Sequence, residues 1–279
     1  MRIDVYLTEN GYAPSRQRAR VLIDAGKVTV DGKTVVKPSQ SIDEEEHDVR
    51  VTDDLPYVGR GGLKLEAALD SFGISPAGLH ALDIGASTGG FTDCLLQRGA
   101  ASVCAVDAGV GQLAQKLLAD ARVTSLEHTN ARELTVTQIG GKPAELIVMD
   151  VSFISATYII PRFPSLLCKG GHAICLVKPQ FEVGKAMLGK GGIVKNPRAH
   201  RYAVERVLAA SEAAGLTAVG LIASPVIGGD GNHEFLIHLV NGTANGAGVT
   251  EARLFEVTGA KQSDEGRKPN VKDRVDHQF

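Results

Sequence analysis

Between residues 79 and 240, short apolar runs alternate with amphipathic stretches. The runs Ala81–Ile84, Ser102–Val106, Val123–Leu126, Glu145–Met149, His172–Val177, Ala218–Ala223 and Glu234–Val240 read as strands. Phe91–Arg98, Gln112–Leu118, Ala156–Leu167 and Arg198–Ala214 lie between them and carry apolar residues at helical spacing. Strands that alternate with helices predict an α/β fold with a mostly parallel, seven-stranded sheet. The last two strands are joined only by a Pro/Gly-rich segment, so they are expected to be antiparallel neighbours. A further amphipathic helix is expected over Lys64–Ser71, with Leu65, Ala68 and Leu69 on one face.

Residues 1–55 follow a different pattern. Ile3–Glu9 reads as a short helix, stopped by Asn10-Gly11. Ser15 is a good N-cap for a second helix through Ala25, with Gly26 as its stop. Val28-Thr29-Val30 and Thr34-Val35-Val36, joined at Asp31-Gly32, read as a hairpin with a type I′ turn. Pro56–Gly62 is read as a linker, 63–242 as the larger domain, and 243–279 as an extension. Within that extension Lys261–Phe279 is charged, has few large apolar residues, and is expected to be mobile.

The first strand of the large domain runs into Asp83-Ile84-Gly85-Ala86-Ser87-Thr88-Gly89-Gly90 and then an amphipathic run. Gly85 permits a sharp turn, and Gly89 lets backbone approach a ligand closely. The second strand ends in Asp107, where an acid can accept both hydroxyls of a ribose. The pattern therefore implies an adenosine-containing cofactor. Asp83 at the loop entry would repel a pyrophosphate and attract an ammonium, which favours S-adenosylmethionine (SAM) over NAD. Asp83 and Gly85 are placed at the methionine end, Asp107 on the ribose, and Asn130 against adenine or in a plain Asx turn, with Ala86, Ser87 and Gly89 as further cofactor contacts.

Composition narrows the setting. The chain has 279 residues, a net charge of −2 and four cysteines without a Cys-x-x-Cys pair. The cysteines read as reduced core residues, and neither a disulfide nor a metal site is expected. No run of 18 apolar residues exists and the first residues do not form a signal peptide, so a cytoplasmic protein, monomeric and without a membrane, is expected. With a near-neutral total charge, any nucleic-acid contact must use a local patch. Residues 1–40 hold seven Lys/Arg against four Asp/Glu, whereas 41–54 hold seven acids and one Arg. The basic patch is therefore Arg16, Arg18 and Arg20 on the second helix, with Lys27, Lys33 and Lys37 on the hairpin.

This N-terminal unit resembles the ribosomal-protein S4-type RNA-binding domain. The likeness rests on Ser15-Arg16, Ala19, Leu22-Ile23, Gly26, Val28, Val30, Gly32 and Lys37-Pro38-Ser39. Such domains read folded RNA by shape and phosphate contacts.

Four polar residues come from separate elements of the large domain and converge at the carboxyl edge of such a sheet. Asp150 ends the fourth strand, Lys178 the fifth, Glu234 opens the seventh, and Lys64 precedes the first. Their order resembles the Lys-Asp-Lys-Glu tetrad of the FtsJ/RrmJ-like ribose 2′-O-methyltransferases, enzymes with a Rossmann-like fold. With the S4-type unit in front, the chain to about residue 240 resembles the TlyA family of ribosomal-RNA methyltransferases, also labelled haemolysins. The strings carrying this are Tyr57-Val58-Gly59-Arg60-Gly61-Gly62-x-Lys64-Leu65, Asp150-Val151-Ser152-Phe153-Ile154-Ser155 and Lys178-Pro179-Gln180-Phe181-Glu182. The resemblance implies ribose 2′-O-methylation of cytidine in small- or large-subunit ribosomal RNA, with SAM as donor. A ribose hydroxyl needs its proton removed before it attacks a methyl group. Lys178 is the expected base, its pKa drawn down by Lys64 nearby, with Asp150 positioning Lys178 and the donor, and Glu234 orienting Lys64 or the ribose. Arg60, Lys185 and Lys190 are further expected RNA contacts, the last two on a basic flap over the substrate.

Other chemistries fit less well. Gly184-x-x-x-x-Gly189-Lys190 matches most of a phosphate loop, but Gly191 stands where a Ser or Thr is needed. Base N-methylation commonly uses Asp/Asn-Pro-Pro-aromatic, and Asp150-Val151-Ser152-Phe153 lacks the prolines. Base C-methylation has no Pro-Cys motif here. A membrane-lytic role has no apolar span to support it, and a non-enzymatic ribosome-binding role leaves the tetrad unexplained.

Overall fold

The computed structural model describes residues 1–13, 15–43, 47–52, 55–228, 231–243 and 248–261. The N-terminal unit opens with helices α1 (Ile3–Glu9) and α2 (Arg16–Asp24). Ser15 caps α2 by accepting from Arg18 N at 3.2 Å. Strands β1 (Val28–Val30) and β2 (Lys33–Thr34) form the expected hairpin, with Asp31 and Gly32 at φ 51° and 73° as a type I′ turn requires, although Val35 and Val36 of the expected second strand lie outside it. A third strand, β3 (Val49–Val51), pairs antiparallel with β1 and was not expected. It lies beside the acidic run 43–48, whose charges hide the Val49/Val51 alternation. Ile3, Leu7, Ala19, Leu22, Ile23, Val28 and Val35 form the core of this unit.

The large unit runs α3 (Gly61–Phe72), β4 (His80–Ile84), α4 (Gly90–Gln97), β5 (Ser102–Val106), α5 (Gln115–Leu118), β6 (Val123–Leu126), β7 (Ala144–Met149), α6 (Phe163–Leu166), β8 (Leu167–Val177), α7 (Pro179–Glu182), α8 (Pro197–Ala213), β9 (Leu216–Ala223), β10 (Phe235–Asn241) and α9 (Glu251–Thr258). The strands of its sheet are ordered β6-β5-β4-β7-β8-β10-β9. Among these described strands, β10 is antiparallel to both its neighbours, β8 and β9, and the last two strands are antiparallel neighbours as expected. The chain is thus an α/β protein with a Rossmann-like sheet and a small α+β unit in front.

The central strands are mostly apolar because both faces are covered. On β7, Leu146 and Val148 join the layer under α3 and α4. Ile147 and Met149 alternate with them and join the opposite layer, with Phe163, Ala203, Val204 and Val207. Helix α8 begins where Asn196 accepts from Arg198 N at 2.9 Å and Pro197 fills the first turn.

Several elements differ from the sequence reading. The expected helix Ala156–Leu167 is broken into 3₁₀ turns, Ala156–Tyr158 and Ile160–Arg162, followed by α6. Pro161 and Pro164 each remove an amide donor and crowd the preceding turn. Strand β8 begins at Leu167, ahead of its expected start at His172. Helix α9 was not anticipated, although Thr250 caps it by accepting from Arg253 N at 3.2 Å. The expectation of a mobile tail falls on residues 262–279, which lie outside those described. Among the described residues, no helix is long and apolar enough to cross a membrane.

The two units touch directly. Gln17 Nε2 donates to the Gln112 carbonyl at 3.0 Å, Arg18 Nη1 to the Tyr57 carbonyl at 2.8 Å, and Arg60 Nη1 to the Asp24 carbonyl at 3.0 Å. The segment read as a linker is tied down at three points. Tyr57 is buried, Val58 N donates to Asp93 at 2.8 Å, and Gln97 donates to the Pro56 carbonyl at 2.8 Å. Gly61 and Gly62 already belong to α3.

Candidate active site

The carboxyl ends of β4, β5, β7 and β8 open onto two adjoining cavities. The larger, about 630 Å³, is lined by Gly85, Ser87, Asp107, Asn130, Asp150, Phe153 and neighbouring residues. Its size suits a small-molecule site. The smaller, about 270 Å³, is lined by Lys64, Asp150, Lys178, Ser152 and the 85–91 loop, with Val21 and Asp24 of α2 closing one side. Gly85, Ser87, Asp150 and Ser152 belong to both walls.

The loop geometry explains its glycines. Gly85 adopts φ +84°, and a Cβ there would sit 2.3 Å from the Asp150 carbonyl oxygen. Gly89 adopts φ +95°, and its Cβ would meet Leu117 at 2.2 Å. Gly85→Ala is therefore expected to displace either the loop or the β7 end. SAM affinity should fall at least about tenfold with the helical content unchanged, read by calorimetry and far-UV circular dichroism.

Asp83 lies beneath the loop, fully buried, and does not itself line either cavity. Its Oδ2 accepts from Thr92 Oγ1 at 2.6 Å, while Oδ1 has no hydrogen-bond partner. Burial, with the charges of Asp150 and Asp107, raises its pKa to about 7 against the pull of the Thr92 bonds. Asp107 accepts from Ser87 N and Gly109 N, both at 2.7 Å, which fixes its carboxylate at the rim of the larger cavity. Asn130 lines that cavity, but both ends of its amide are used locally. Oδ1 accepts from Arg132 N at 3.1 Å, and Nδ2 donates to Glu133 at 2.9 Å. These residues fit an adenosyl amino acid: an acid for hydroxyls, a tight backbone loop, and an orphaned buried carboxylate oxygen under it.

The four tetrad residues are brought together as two ion pairs. Lys64 Nζ lies 2.5 Å from Glu234 Oε2, and both side chains are buried. Lys178 Nζ lies 2.5 Å from Asp150 Oδ1 and donates to Ser152 Oγ at 2.8 Å. The Asp150 contact is electrostatic, since that oxygen accepts no aligned hydrogen bond. Lys64, Asp150 and Lys178 face the smaller cavity, whereas Glu234 supports Lys64 from outside its lining.

The family follows from this frame. The sequence profile described as FtsJ-like methyltransferase matches residues 57–241, and that of the S4 domain matches residues 1–48. The chain belongs to the FtsJ-like methyltransferase family. The 16S/23S rRNA (cytidine-2′-O)-methyltransferase TlyA of Mycobacterium tuberculosis is 46% identical over 239 residues, covering 85% of this chain and 89% of that protein. Hemolysin A of Brachyspira hyodysenteriae is 39% identical over 240 residues, covering 86% and 100%. A solved structure from Streptococcus thermophilus, described provisionally as a hemolysin, superposes with TM-score 0.74 at 39% identity, covering 93% of this chain and 94% of that one.

The residues expected to meet RNA fall into three groups on this FtsJ-like chain. Arg16 and Arg20 point at Asp4 Oδ2 from 3.2 and 3.1 Å, joined by Arg2, yet about half of each side chain stays exposed. Arg18 and Arg60 join the two units. Lys33, Lys37, Lys185 and Lys190 are exposed, and Lys27 is half-buried. Sequence reasoning gave no role to Ser152. It is the hydroxyl two residues after Asp150, and its contact with Lys178 is a tertiary one.

Proposed function

We propose that the protein is a SAM-dependent ribosomal-RNA 2′-O-methyltransferase acting on cytidine in the cytoplasm. The observation that carries this reading is Lys178 Nζ, held by Asp150 and Ser152 in a cavity that shares a wall with the adenosyl-sized cleft. When bound, SAM supplies a methyl group on a sulfonium, which needs only an oxygen nucleophile in line with it.

The chain's own residues supply the rest. Gly85, Ser87, Asp107, Asn130 and Asp150 line the donor's cleft, Ala86 lines the adjoining cavity, and Asp83 and Gly89 shape the loop from outside both linings. The target ribose enters the smaller cavity, and Lys178 Nζ takes the proton from its 2′-oxygen. Asp150 steadies the ammonium that results. The Lys64 ammonium, oriented by Glu234, places positive charge beside the developing oxyanion. Positioning of these groups contributes more than any single proton transfer. The S4 unit and the exposed lysines hold the RNA through its phosphates.

The test uses labelled SAM with small subunits, large subunits and naked RNA in separate reactions, and maps products by primer extension at limiting nucleotide. Label on a cytidine ribose 2′-oxygen is expected. Label on a base, or none while SAM still binds, would overturn the reading.

A further inference from the structure

Among the described residues, Glu182 is a deeply buried acid near the site that the mechanism above leaves unused. It is 1% exposed, at the end of the single turn α7. Both of its oxygens face the loop after β7. Oε2 accepts from Ser155 Oγ at 2.5 Å and Oε1 from Ala156 N at 2.7 Å. Arg206 secures the same residue by donating to its backbone carbonyl at 2.5 Å. A buried carboxylate is costly to desolvate, so packing alone does not account for it.

The turn that ends in Glu182 begins next to Lys178. Two side chains four residues apart thus reach across to the same loop. Lys178 grips it at Ser152, and Glu182 grips it at Ser155 and Ala156. Between the two grips lies Phe153, at φ +65° and 93% exposed, against Phe181 at 5.4 Å between ring centroids. A side chain in that backbone region is strained and persists only where its surroundings over-determine it. The loop's other end is Asp150, the partner of Lys178.

We infer that Glu182 is a positioning residue whose carboxylate buckles the Lys178 turn to the 150–156 loop, fixing base, acid and Phe153 in one arrangement. This rests on the methyltransferase reading for its consequence in rate, but not for its consequence in structure. Ser155 is the hub of the buckle, because its hydroxyl also lies 2.7 Å from Thr157 Oγ1.

The test compares Glu182→Ala and Glu182→Gln in the full chain. Glutamine can accept from Ala156 N and donate to Ser155 Oγ, whose hydrogen then turns to Thr157. Alanine removes both grips. In Glu182→Ala, kcat is expected to fall about 10- to 100-fold with KM for RNA within about threefold, as for a displaced reacting group. Amides 151–156 should exchange with solvent faster in the same variant, and Glu182→Gln should restore most of kcat and of the protection. Unchanged exchange in Glu182→Ala would overturn the buckle. So would a loss of kcat that merely tracks the folded fraction, or a glutamine variant no better than alanine. Exchange needs no substrate. Faster exchange in Glu182→Ala, with no methyl transfer by the unaltered chain, would therefore sink the methyltransferase reading and leave the buckle standing.

Discussion

Lys178→Ala is expected to lower methyl transfer by about 10²- to 10⁴-fold, the usual worth of a general base, while SAM binding stays within about threefold. The second half of that expectation follows from placement. Lys178 lines the smaller cavity and is absent from the wall of the larger one. Lys178→Arg separates the two roles the residue could have. A guanidinium can still pair with Asp150, but it cannot give up its proton to act as a base. Both variants should therefore be nearly inactive in single-turnover assays. Substantial turnover by the arginine variant would reduce Lys178 to a charge partner and reassign proton removal to another group. Lys64→Ala is a poorer experiment. It would strand the Glu234 carboxylate, whose side chain is 3% exposed, without its cation. The resulting loss of about 3–5 kcal/mol of stability would blur any kinetic reading.

The chain announces its architecture because its central strands are buried on both faces and therefore read as largely apolar runs. β5 and β6 begin and end where the pattern places them, and the acid after β5 and after β7 marks the cleft. What escaped the sequence depends on contacts between distant residues or on local charge. β3 is three residues long beside an acidic run, and its pairing with β1 is long-range. The helix expected over 156–167 does not form because Pro161 and Pro164 override its apolar spacing. The tetrad was legible as three residues at strand ends and one on a helix, with Asp150 expected on Lys178 and Glu234 on Lys64 or the ribose. The folded chain sets Glu234 on Lys64 and Asp150 on Lys178. Asn130 illustrates the limit: the sequence left it between an adenine contact and an Asx turn, and the folded chain places it beside the cleft with its amide committed to its own turn.

Asp83 should make both stability and SAM affinity depend on pH, in opposite directions. Its carboxyl titrates near pH 7 when folded and near 3.8 when unfolded. Between these values the folded chain holds a proton that the unfolded chain has lost. Stability from this group is therefore fully present below about pH 4 and is lost progressively as pH rises through 7. The full swing is a few kcal/mol, at about 1.4 kcal/mol for each pH unit that separates folded from unfolded titration. Denaturant unfolding at intervals from pH 5 to pH 8 should show this decline. In Asp83→Asn the decline should be smaller by that amount, whatever the variant's absolute stability. An ammonium brought near the orphaned Oδ1 favours the ionised carboxylate, so SAM should bind more tightly at pH 8 than at pH 6, by up to about tenfold. Calorimetry in buffers of different ionisation enthalpy should then detect proton release on binding near pH 6.5. Equal affinity at both pH values in the unaltered protein would separate Asp83 from the donor's amino group. The carboxyl would then act only through the Thr92 hydrogen bond that ties β4 to α4. Its burial would still lower stability toward pH 8, so the unfolding series and the binding series test the two claims independently.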